Sequence, residues 1–333
     1  ILIIGNYGAG NLGDDAIFAG ICADLQNIGY KGKISLMHGG FASSEDTYSG
    51  FEKYPFLPSG IKSKIKGPDK GSLRAIAEAD LIIFGGGGLF IDEESIFAPL
   101  IWKNQVRNKP YIIYSQSVGP LNSFISRFLT AKVFGKASSI HLRDKESADL
   151  LKSIGVANET EYSTDAALTW AKSLPGLPKE NLMLISLRLW KGLDSNSWRS
   201  CLKACTKFAA ENNMRVKLLA MDLKNRGELE ALKNTGLELI VPKSATEAFE
   251  WVSRARILCS MRLHAGIFAL AAATPVLMLS YSQKVNSFFS ALNIKSGSEV
   301  LEMRAGSEDI YRALAKLFTE QIEPVFNTHP KVR

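Results

Sequence analysis

Short apolar runs alternate with amphipathic segments along almost the whole of this 333-residue sequence. Apolar runs rich in Ile, Leu and Val are typical of strands that are buried on both faces of a parallel sheet. The runs predict strands at 1–4, 34–38, 81–84, 111–115, 139–142, 182–187, 216–221, 237–241, 257–259 and 276–280. Helical patterns are found at about 15–28, 91–108, 123–134, 145–154, 196–212, 247–254, in a charged segment that ends at 232, and from about 263. This alternation of elements is typical of an α/β protein with a mostly parallel sheet.

The length predicts about two domains. The best linker candidate is the stretch 173–179, where Ser-Leu-Pro-Gly-Leu-Pro-Lys interrupts the alternation. We therefore expect an N-terminal Rossmann-like domain at 1–172 and a C-terminal Rossmann-like domain at 180–333. Both domains are expected to be doubly wound and to face each other across a cleft. Ligands of such sheets bind at the carboxyl ends of the strands.

The composition excludes several classes of protein. Hydrophobic residues make up 46% and charged residues 22%, values that exclude a disordered, collagen-like or disulfide-rich chain. The net charge of +7 suits anionic substrates or an anionic membrane surface, but it is too diffuse to indicate nucleic acid. The longest apolar stretch, 265–281, contains Pro275 and is too short to span a bilayer. Because the sequence opens on a strand, we expect no signal peptide and a cytoplasmic location.

The four cysteines, Cys22, Cys201, Cys205 and Cys259, form no CxxC pair. They are interpreted as scattered, buried thiols in a reducing compartment. The spacing of His, Cys, Asp and Glu along the chain predicts no metal site.

The first strand leads into a glycine-rich turn in which Gly8, Gly10 and Gly13 match the dinucleotide pattern GxGxxG. Two features argue against nicotinamide binding. Asp14 and Asp15 lie at the start of the helix, where a pyrophosphate would need bare N–H groups without negative neighbours. The second strand also lacks the acidic residue at its end that would bind a ribose. The alternative is a tight turn in which Asp14 caps the following helix.

Further loops are expected at the same edge of the first sheet. Four glycines follow the third strand at 85–88, and such a run suits a backbone that closely approaches a ligand or another loop. Gln116 lies in the turn after the fourth strand. The segment 39–70 has no clear periodicity and is expected to be a mobile, basic loop, because it contains Lys62, Lys64, Lys66 and Lys70. Its lysines either dock on anionic lipid or form a solvated surface.

Basic residues occur where predicted strands end: Arg143, Arg188, Arg262 and Lys284. A lone arginine at a strand end is usually structural, but four cations at such positions favour one crevice that binds phosphate and carboxylate groups. His264 lies two residues after Arg262, at the start of an apolar helix. A titratable ring in that position suits proton transfer near neutral pH, although a lone histidine is more often a hydrogen-bonded core residue.

Six motifs follow one another along the chain: Asn6-Tyr-Gly-Ala-Gly-Asn-Leu-Gly-Asp14, Phe84-Gly-Gly-Gly-Gly88, Gln116-Ser-Val-Gly-Pro120, Arg143-Asp-Lys-Glu-Ser147, Thr164-Asp-Ala-Ala-Leu168 and Arg262-Leu-His264. In this order they resemble the motifs of the polysaccharide pyruvyl transferases, from residue 1 to about residue 289. The bacterial cell-surface-anchoring (S-layer) type is the most similar. The resemblance implies a fold similar to that of B-type glycosyltransferases, with the active site in the interdomain cleft.

The resemblance also implies a reaction, the transfer of pyruvate from phosphoenolpyruvate to two hydroxyls of a sugar with formation of a cyclic ketal. The implied acceptor is N-acetylmannosamine on a lipid-pyrophosphate-linked cell-wall precursor, which implies peripheral contact with the inner membrane face. His264 would be catalytic, without a cofactor or a metal. The donor would bind Arg143, Arg188, Arg262, Leu263 and Lys284, and the acceptor loops would contain Asn11, Asp14, Asp15, Gly86, Gly87 and Gln116.

Two other functions remain open from the sequence. A nucleotide-sugar glycosyltransferase would share the glycine-rich loops and the basic crevice. A non-catalytic sugar-binding relative would keep the fold but would have no reason to retain four basic residues and His264.

Overall fold

The computed structural model describes residues 1–40, 45–58, 67–92, 95–189, 195–281, 285–286, 288–289, 292 and 296–320. The chain forms two compact units. Of the described residues, the first unit contains 1–9 and 17–169, and the second contains 10–16 and 170–320. The segment Gly10–Ala16 therefore belongs to the second unit although it comes early in the sequence.

The first unit has a seven-stranded parallel sheet with the order β3-β2-β1-β4-β5-β6-β7. Its strands are β1 (Leu2–Ile4), β2 (Ser35–His38), β3 (Glu52–Pro55), β4 (Ile82–Phe90), β5 (Tyr111–Val118), β6 (Ser139–Leu142) and β7 (Glu161–Tyr162). Its helices are α1 (Leu12–Asn27), α2 (Lys70–Glu78), α3 (Ala98–Val106), α4 (Phe124–Phe134), α5 (Lys145–Ser153) and α6 (Ala166–Ser173), of which α1 and α6 also enter the second unit. Fully buried Phe84, Phe90 and Phe134 lie in its core.

The second unit has a six-stranded parallel sheet with the order β10-β9-β8-β11-β12-β13. Its strands are β8 (Leu182–Ser186), β9 (Arg215–Leu219), β10 (Glu238–Ile240), β11 (Ile257–Ser260), β12 (Val276–Ser280) and β13 (Ser298–Glu302). Its helices are α7 (Ser195–Glu211), α8 (Arg226–Lys233), α9 (Ala245–Arg254), α10 (Leu263–Ala271) and α11 (Ser307–Thr319). The strand order reverses between β8 and β11, which is the switch point where doubly wound sheets bind ligands.

Both sheets confirm the predicted α/β class, and all ten predicted strands are present. The sequence analysis missed β3, β7 and β13, three edge strands whose exposed or half-buried residues lack a continuous apolar run. The prediction that 39–70 is a mobile loop was wrong for its described part. Tyr48 is fully buried in a 3-10 turn, Glu52–Pro55 form β3, and Leu57 is bonded to Gln105. Lys62, Lys64 and Lys66 lie outside the described residues, and Lys70 begins α2.

The segment predicted as a linker is attached to the second unit. Leu177 N–H donates to Ser253 Oγ at 2.8 Å, and Lys179 Nζ donates to the Ser253 carbonyl at 2.8 Å and to Thr274 Oγ1 at 2.5 Å. Burial lowers the pKa of Lys179 to about 8. The two units meet in sequence at Thr169 and Trp170, inside α6, and not at 173–179.

The glycines of β4 are required for packing. A Cβ on Gly85 would lie 2.0 Å from Tyr7 Oη and 2.3 Å from Ile21 Cδ1, and a Cβ on Gly86 would lie 2.5 Å from the Ser115 carbonyl oxygen. The strand runs through all four glycines instead of ending at Phe84 as predicted. The close approach that the sequence predicts is therefore to Tyr7, to helix α1 and to the backbone of β5.

Three of the four cysteines are not scattered, which corrects the sequence interpretation. Cys201 and Cys205 lie one turn apart on α7 and face Cys259 on β11, with the three sulfurs within 4.8 Å of one another. The Sγ–Sγ distance is 3.9 Å between Cys201 and Cys205 and 3.7 Å between Cys201 and Cys259. All three side chains are fully buried. The sequence spacing places Cys201 and Cys205 one helical turn apart, but it does not show that β11 brings Cys259 next to them.

Candidate active site

Two arginines follow neighbouring strands at the switch point of the second sheet. Strand β8 pairs with β11 so that Ser186 lies beside Ser260, and each strand is followed within two residues by an arginine. Arg188 comes from β8, and Arg262 precedes α10. This register places two of the predicted donor-binding residues at one carboxyl edge, where the sheet leaves a crevice.

Arg262 is held by two carboxylates. One of its terminal nitrogens, Nη2, forms an ion pair with Glu228 Oε1 and lies 3.6 Å from Asp222 Oδ2. Glu228 is fully buried and also accepts the Leu189 N–H at 2.8 Å. Among the described residues, the buried Arg262 Nε has no hydrogen-bond partner. One edge of the guanidinium is thus fixed by the protein, while a buried N–H remains for a ligand.

The helix that starts after Arg262 adds a second donor surface. Arg262 is at the N-cap of α10 and its side chain makes no capping bond. The first N–H groups of a helix have no partners within the helix, and the helix dipole favours an anion there. Leu263 and His264 form the first turn, and both are half-buried. The predicted anion-binding residues and this helix end therefore occupy the same place.

Arg188 is oriented by an aromatic residue that follows β12. Its Nη1 donates to Tyr281 Oη at 2.5 Å, and its guanidinium lies 5.1 Å from the centroid of the same ring. Its carbonyl accepts from Trp198 Nε1 at 3.2 Å. These contacts fix the position of a half-buried cation, which reduces the entropy lost when it binds an anion.

His264 packs against the glycine-rich segment 10–16. A Cβ on Gly13 would lie 2.0 Å from His264 Nδ1 and 2.3 Å from its Cγ, so only glycine leaves room for the imidazole. The Nε2 atom of His264 is shielded from solvent. The glycine that completes the GxGxxG pattern is therefore explained by the position of the histidine ring.

The same segment is joined to the loop after β9. Leu12 N–H donates to the Met221 carbonyl at 3.0 Å, and Leu223 N–H donates to the Gly10 carbonyl at 2.7 Å. Between these bonds, Asn11 pairs with Asp222, one of the two carboxylates beside Arg262. Asp222 thus connects the predicted acceptor residue Asn11 to Arg262, a predicted donor-binding residue.

Within the segment, polar side chains are bonded to one another. Asn11 Nδ2 donates to Asp14 Oδ2 at 3.0 Å, and Asn11 Oδ1 accepts the Gly13 N–H at 3.1 Å. Asp14 and Asp15 are both buried. Asn11 supplies a capping acceptor of α1, the role that the alternative interpretation of the turn gave to Asp14. The Gly8 N–H donates to Tyr48 Oη at 2.9 Å, and the Leu12 and Gly13 N–H groups are also bonded, so these three N–H groups are not bare as a dinucleotide would need.

Arg143 lies in the first unit, at the end of β6, and its side chain is largely used by the protein. Its Nη1 lies 2.5 Å from Oδ2 of the fully buried Asp165, and its Nε donates to Ser117 Oγ at 2.6 Å. Ser117 in turn donates to Asp144 at 2.5 Å, and Asp144 caps α5 through the Ser147 N–H. These bonds make Arg143 the centre of a buried network across β5, β6 and α5.

Gln116 lies beside that network, on the strand between β4 and β6. It pairs in register with Gly87 on one side and with Leu142 on the other. Its Nε2 donates to the Gly87 carbonyl at 2.7 Å, whereas within the described part of the chain its buried Oε1 has no hydrogen-bond partner. The predicted acceptor residues Gly86, Gly87 and Gln116 are therefore neighbours.

A comparison with family models matches residues 11–283 to the polysaccharide pyruvyl transferases. The chain belongs to the polysaccharide pyruvyl transferase family. The match confirms the resemblance found in the motifs, and it covers both site regions from Asn11 to beyond Arg262. A comparison with curated protein sequences finds no match.

Three solved structures that are similar to this chain have low sequence identity to it. A putative UDP-N-acetylglucosamine 2-epimerase from Listeria monocytogenes is 13% identical, with a TM-score of 0.63 over 98% of this chain and 92% of the other. UDP-GlcNAc 2-epimerase from Methanocaldococcus jannaschii, in complex with UDP-GlcNAc and UDP, is 12% identical, with a TM-score of 0.62 over 98% and 95%. MurG from Acinetobacter baumannii is 12% identical, with a TM-score of 0.50 over 96% and 90%. The likeness confirms the predicted fold, with two parallel-sheet α/β domains.

The predicted site residues are distributed between the two units. Arg188, Arg262, Leu263 and His264 lie in the second unit together with Asn11, Asp14 and Asp15, while Arg143, Gly86, Gly87 and Gln116 lie in the first. Lys284 lies outside the described residues. No helix in the described ranges is both long and apolar enough to cross a bilayer.

Several residues that bond to the predicted site residues were missed from the sequence. Glu228 has the spacing of a capping box with Asn225, whose side chain accepts the Glu228 N–H at 3.1 Å. That pattern predicts an exposed carboxylate, but the side chain turns inward to Arg262. Asp165 occurs in the motif Thr164–Leu168, but no role was predicted for it. Nothing in the sequence around Asp222 indicates a functional residue.

Proposed function

We propose that the protein transfers pyruvate from phosphoenolpyruvate to two hydroxyls of a sugar, forming a cyclic ketal and inorganic phosphate. The observation that carries this proposal is the pair of arginines after β8 and β11, with His264 in the helix turn that follows. Family membership supports pyruvyl transfer, and the residues at the switch point suit a small ligand with two anionic groups.

We infer that the donor binds at the start of α10. Phosphoenolpyruvate carries a phosphate and a carboxylate, so it needs more than one cation. Arg262 offers its buried Nε, α10 offers uncapped N–H groups, and Arg188 is oriented by Tyr281. Lys284 and Arg143 remain predicted ligands, although Arg143 already bonds to Asp165 and Ser117.

The reaction requires two proton transfers and two new bonds. The methylene carbon of the donor gains a proton, and its central carbon bonds to the first hydroxyl oxygen of the acceptor, which loses its proton. The second hydroxyl oxygen then bonds to the same carbon as the carbon–oxygen bond to phosphate breaks, and its proton leaves with the phosphate. An imidazole can donate or accept either proton, and such catalysis contributes ~10²–10⁴-fold. His264 is the proposed group, and the steps need no redox cofactor or metal.

The proposed acceptor is a lipid-pyrophosphate-linked glycan that contains N-acetylmannosamine. Its predicted contact residues are Asn11, Asp14, Asp15, Gly86, Gly87 and Gln116. In this proposal the protein is cytoplasmic, binds no nucleic acid, and contacts the inner membrane face peripherally, with Lys62, Lys64, Lys66 and Lys70 as the predicted contact residues.

Activity is tested by incubating the protein with phosphoenolpyruvate and an N-acetylmannosamine-containing acceptor. The expected result is release of phosphate together with a product heavier by one pyruvate minus one water. Turnover of a sugar nucleotide without consumption of phosphoenolpyruvate would favour the glycosyltransferase alternative. Calorimetry that detects no binding of phosphoenolpyruvate would favour the non-catalytic alternative.

A test of the donor site requires a variant that stays folded, so that a loss of binding is not caused by unfolding. Arg262→Ala would leave Glu228 buried without its partner, a change that costs about 3–5 kcal/mol of folding free energy. In the double variant Arg262→Met/Glu228→Gln the buried charge is removed, while an oxygen remains for the Leu189 N–H. We expect this variant to stay folded and to lose at least 30-fold in affinity for phosphoenolpyruvate, which corresponds to a loss of about 2–5 kcal/mol. Near-parental affinity would contradict the assignment of Arg262.

A further inference from the structure

An exposed apolar surface lies on one side of the first unit. Among the described residues, nine large hydrophobic side chains are exposed, and five of them lie between residues 97 and 128. They are Phe97, Leu100, Phe124, Ile125 and Phe128, and Phe124 is 81% exposed. Isolated apolar residues on a surface are ordinary, but a group of aromatic and aliphatic side chains marks an interaction site.

The topology brings these residues onto one face of the sheet. Helix α3 connects β4 to β5, and α4 connects β5 to β6, so both connections step in the same direction across the sheet. Right-handed crossovers in the same direction place their helices on the same face. The two helices are in contact with each other. We call residues 97–110 and 121–136, which contain these helices and their flanking turns, the α3–α4 surface.

The charge within the two stretches of the α3–α4 surface is of one sign, and beside them the Asp92 carboxylate accepts the Asn122 and Ser123 N–H groups. The two stretches contain Lys103, Arg107, Lys109, Arg127, Lys132 and Lys136, and neither contains an aspartate or a glutamate. The whole chain has a net charge of +7 from 40 basic and 33 acidic residues, so most of the excess is found in these 30 residues. Lys132 Nζ lies 4.3 Å from the centroid of the exposed Phe128 ring, which shows that cations and aromatic rings are interleaved here.

An apolar cavity opens beside α3. It has a volume of about 810 Å³, and its lining includes Phe97, Leu100 and Ile101 together with the cations Lys103 and Arg107. Apolar walls with basic residues at the same site suit a ligand that has a hydrocarbon part and an anionic part. The exposed aromatics of α4 repeat this combination along the helix.

We propose that the α3–α4 surface docks on an anionic lipid bilayer. Aromatic and aliphatic side chains enter the boundary between headgroups and acyl chains, and a basic face is attracted to anionic lipid. A protein partner would need acidic groups matched to each cation, whereas a bilayer supplies a continuous negative surface. The inference refines the membrane contact of the proposed function, which it assigns to the α3–α4 surface instead of to Lys62, Lys64, Lys66 and Lys70. It does not depend on the ketal chemistry, because it is carried by exposure and charge.

Vesicle co-sedimentation without substrates tests the proposal. The parent protein is expected to bind phosphatidylglycerol-containing vesicles and to bind pure phosphatidylcholine vesicles much more weakly. Phe124→Gln/Phe128→Gln and Lys132→Gln/Lys136→Gln should each reduce the partition coefficient at least tenfold. The matched controls are Ile28→Gln, an equally exposed aliphatic residue of the same unit, and Lys145→Gln/Lys152→Gln on α5. Both controls should bind as the parent does, and circular dichroism checks that every variant is folded.

Three outcomes would overturn the proposal. The first is equal vesicle binding by the parent and by the aromatic double variant. The second is binding that is lost only when Lys62, Lys64 and Lys66 are replaced by Ser, which would assign the contact to that segment. The third is a parent that dimerises in solution and a Phe124→Gln/Phe128→Gln variant that is monomeric with unchanged vesicle binding, which would make the surface an interface between two copies.

Discussion

At the scale of single residues, the proposed proton transfer depends on His264. His264→Gln keeps the approximate size and the hydrogen-bonding capacity of the side chain but cannot carry a proton at neutral pH. We expect the variant to bind phosphoenolpyruvate normally and to lose ~10²–10⁴-fold in kcat, as when an interaction made only in the transition state is removed. Calorimetry and phosphate-release kinetics measure the two quantities separately.

The result distinguishes the alternatives for this residue. If binding is lost together with turnover, His264 is a ligand of the donor. If turnover stays within a few-fold of the parent, the catalytic assignment is wrong, and Asp14 or Asp15 becomes the next candidate.

Gly13 tests the position of the same ring. The methyl group of Gly13→Ala would lie 2.0 Å from His264 Nδ1, so the imidazole must move. Overpacking of this kind costs about 1–3 kcal/mol of folding free energy, and the better helix propensity of alanine in the first turn of α1 offsets at most about 1 kcal/mol of it. We expect about a 10²-fold lower kcat at a temperature where the variant is still folded, together with a slightly lower melting temperature. The control is Gly176→Ala, in the same unit with open space around it, and kcat lowered equally in both variants would contradict this role of Gly13.

The sequence predicts a single site residue only where the residue's position relative to a strand can be recognised. His264 and Arg262 were predictable because they follow an apolar strand directly, and position after a strand determines the sheet edge. Glu228 was not predictable, because a buried glutamate on α8 has the same local pattern as an exposed one. Only the tertiary contact with Arg262 distinguishes the two.

At the scale of elements, α7 and β11 enclose the thiols of Cys201, Cys205 and Cys259, whereas the fourth cysteine, Cys22, is buried on α1. Burial raises the pKa of the Cys22 thiol to about 12, and burial also raises the pKa of Cys205. The reactive form of a thiol is the thiolate, so at pH 8 Cys22 and Cys205 are protonated as well as inaccessible. Hydrogen bonds with Cys205 and Cys259 lower the pKa of Cys201, so that thiol is protected by its complete burial alone. We expect a thiol-specific reagent to label none of the four cysteines of the native protein, and all four after denaturation.

Mass spectrometry identifies the labelled residue if one reacts. Native labelling of Cys201 or Cys259 faster than Cys22 would show that α7 opens away from β11 on the time scale of the experiment. Labelling of all four cysteines at the rate of global unfolding would agree with the packing described.

Helices and strands were predicted best where one pattern of apolar residues runs along the whole element. The central strands are apolar on both faces and were all found, whereas β7 has two exposed residues and gives no such signal. Helix α2 was missed because the segment before it lacks periodicity, although its Asp69 N-cap accepts the Ser72 N–H. Edge elements depend on pairing with a neighbour, which a local pattern does not contain.

At the scale of the whole molecule, the second unit depends on residues far away in sequence. Gly10–Ala16 belongs to it through backbone bonds to the loop after β9, so a division of the chain at one point would separate His264 from Gly13. Composition and length predict two domains, but they contain no information about such an exchange of a short segment. The boundary at Thr169 and Trp170 was also hidden, because helical periodicity continues through it.

Each unit has its own hydrophobic core, and this leads to a prediction for stability. Phe134 lies in the first core with its ring 4.8 Å from that of Phe90, and Phe208 lies in the second core with its ring 5.5 Å from that of Phe318. Replacing a buried phenylalanine by alanine costs about 3–5 kcal/mol. We expect Phe134→Ala to increase hydrogen exchange mainly in the first unit and Phe208→Ala mainly in the second. The exposed Phe124→Ala is the control and should change stability by less than about 0.5 kcal/mol. If either core variant raises exchange equally in both units, the two cores unfold as one cooperative structure, and stability cannot be assigned to each unit separately.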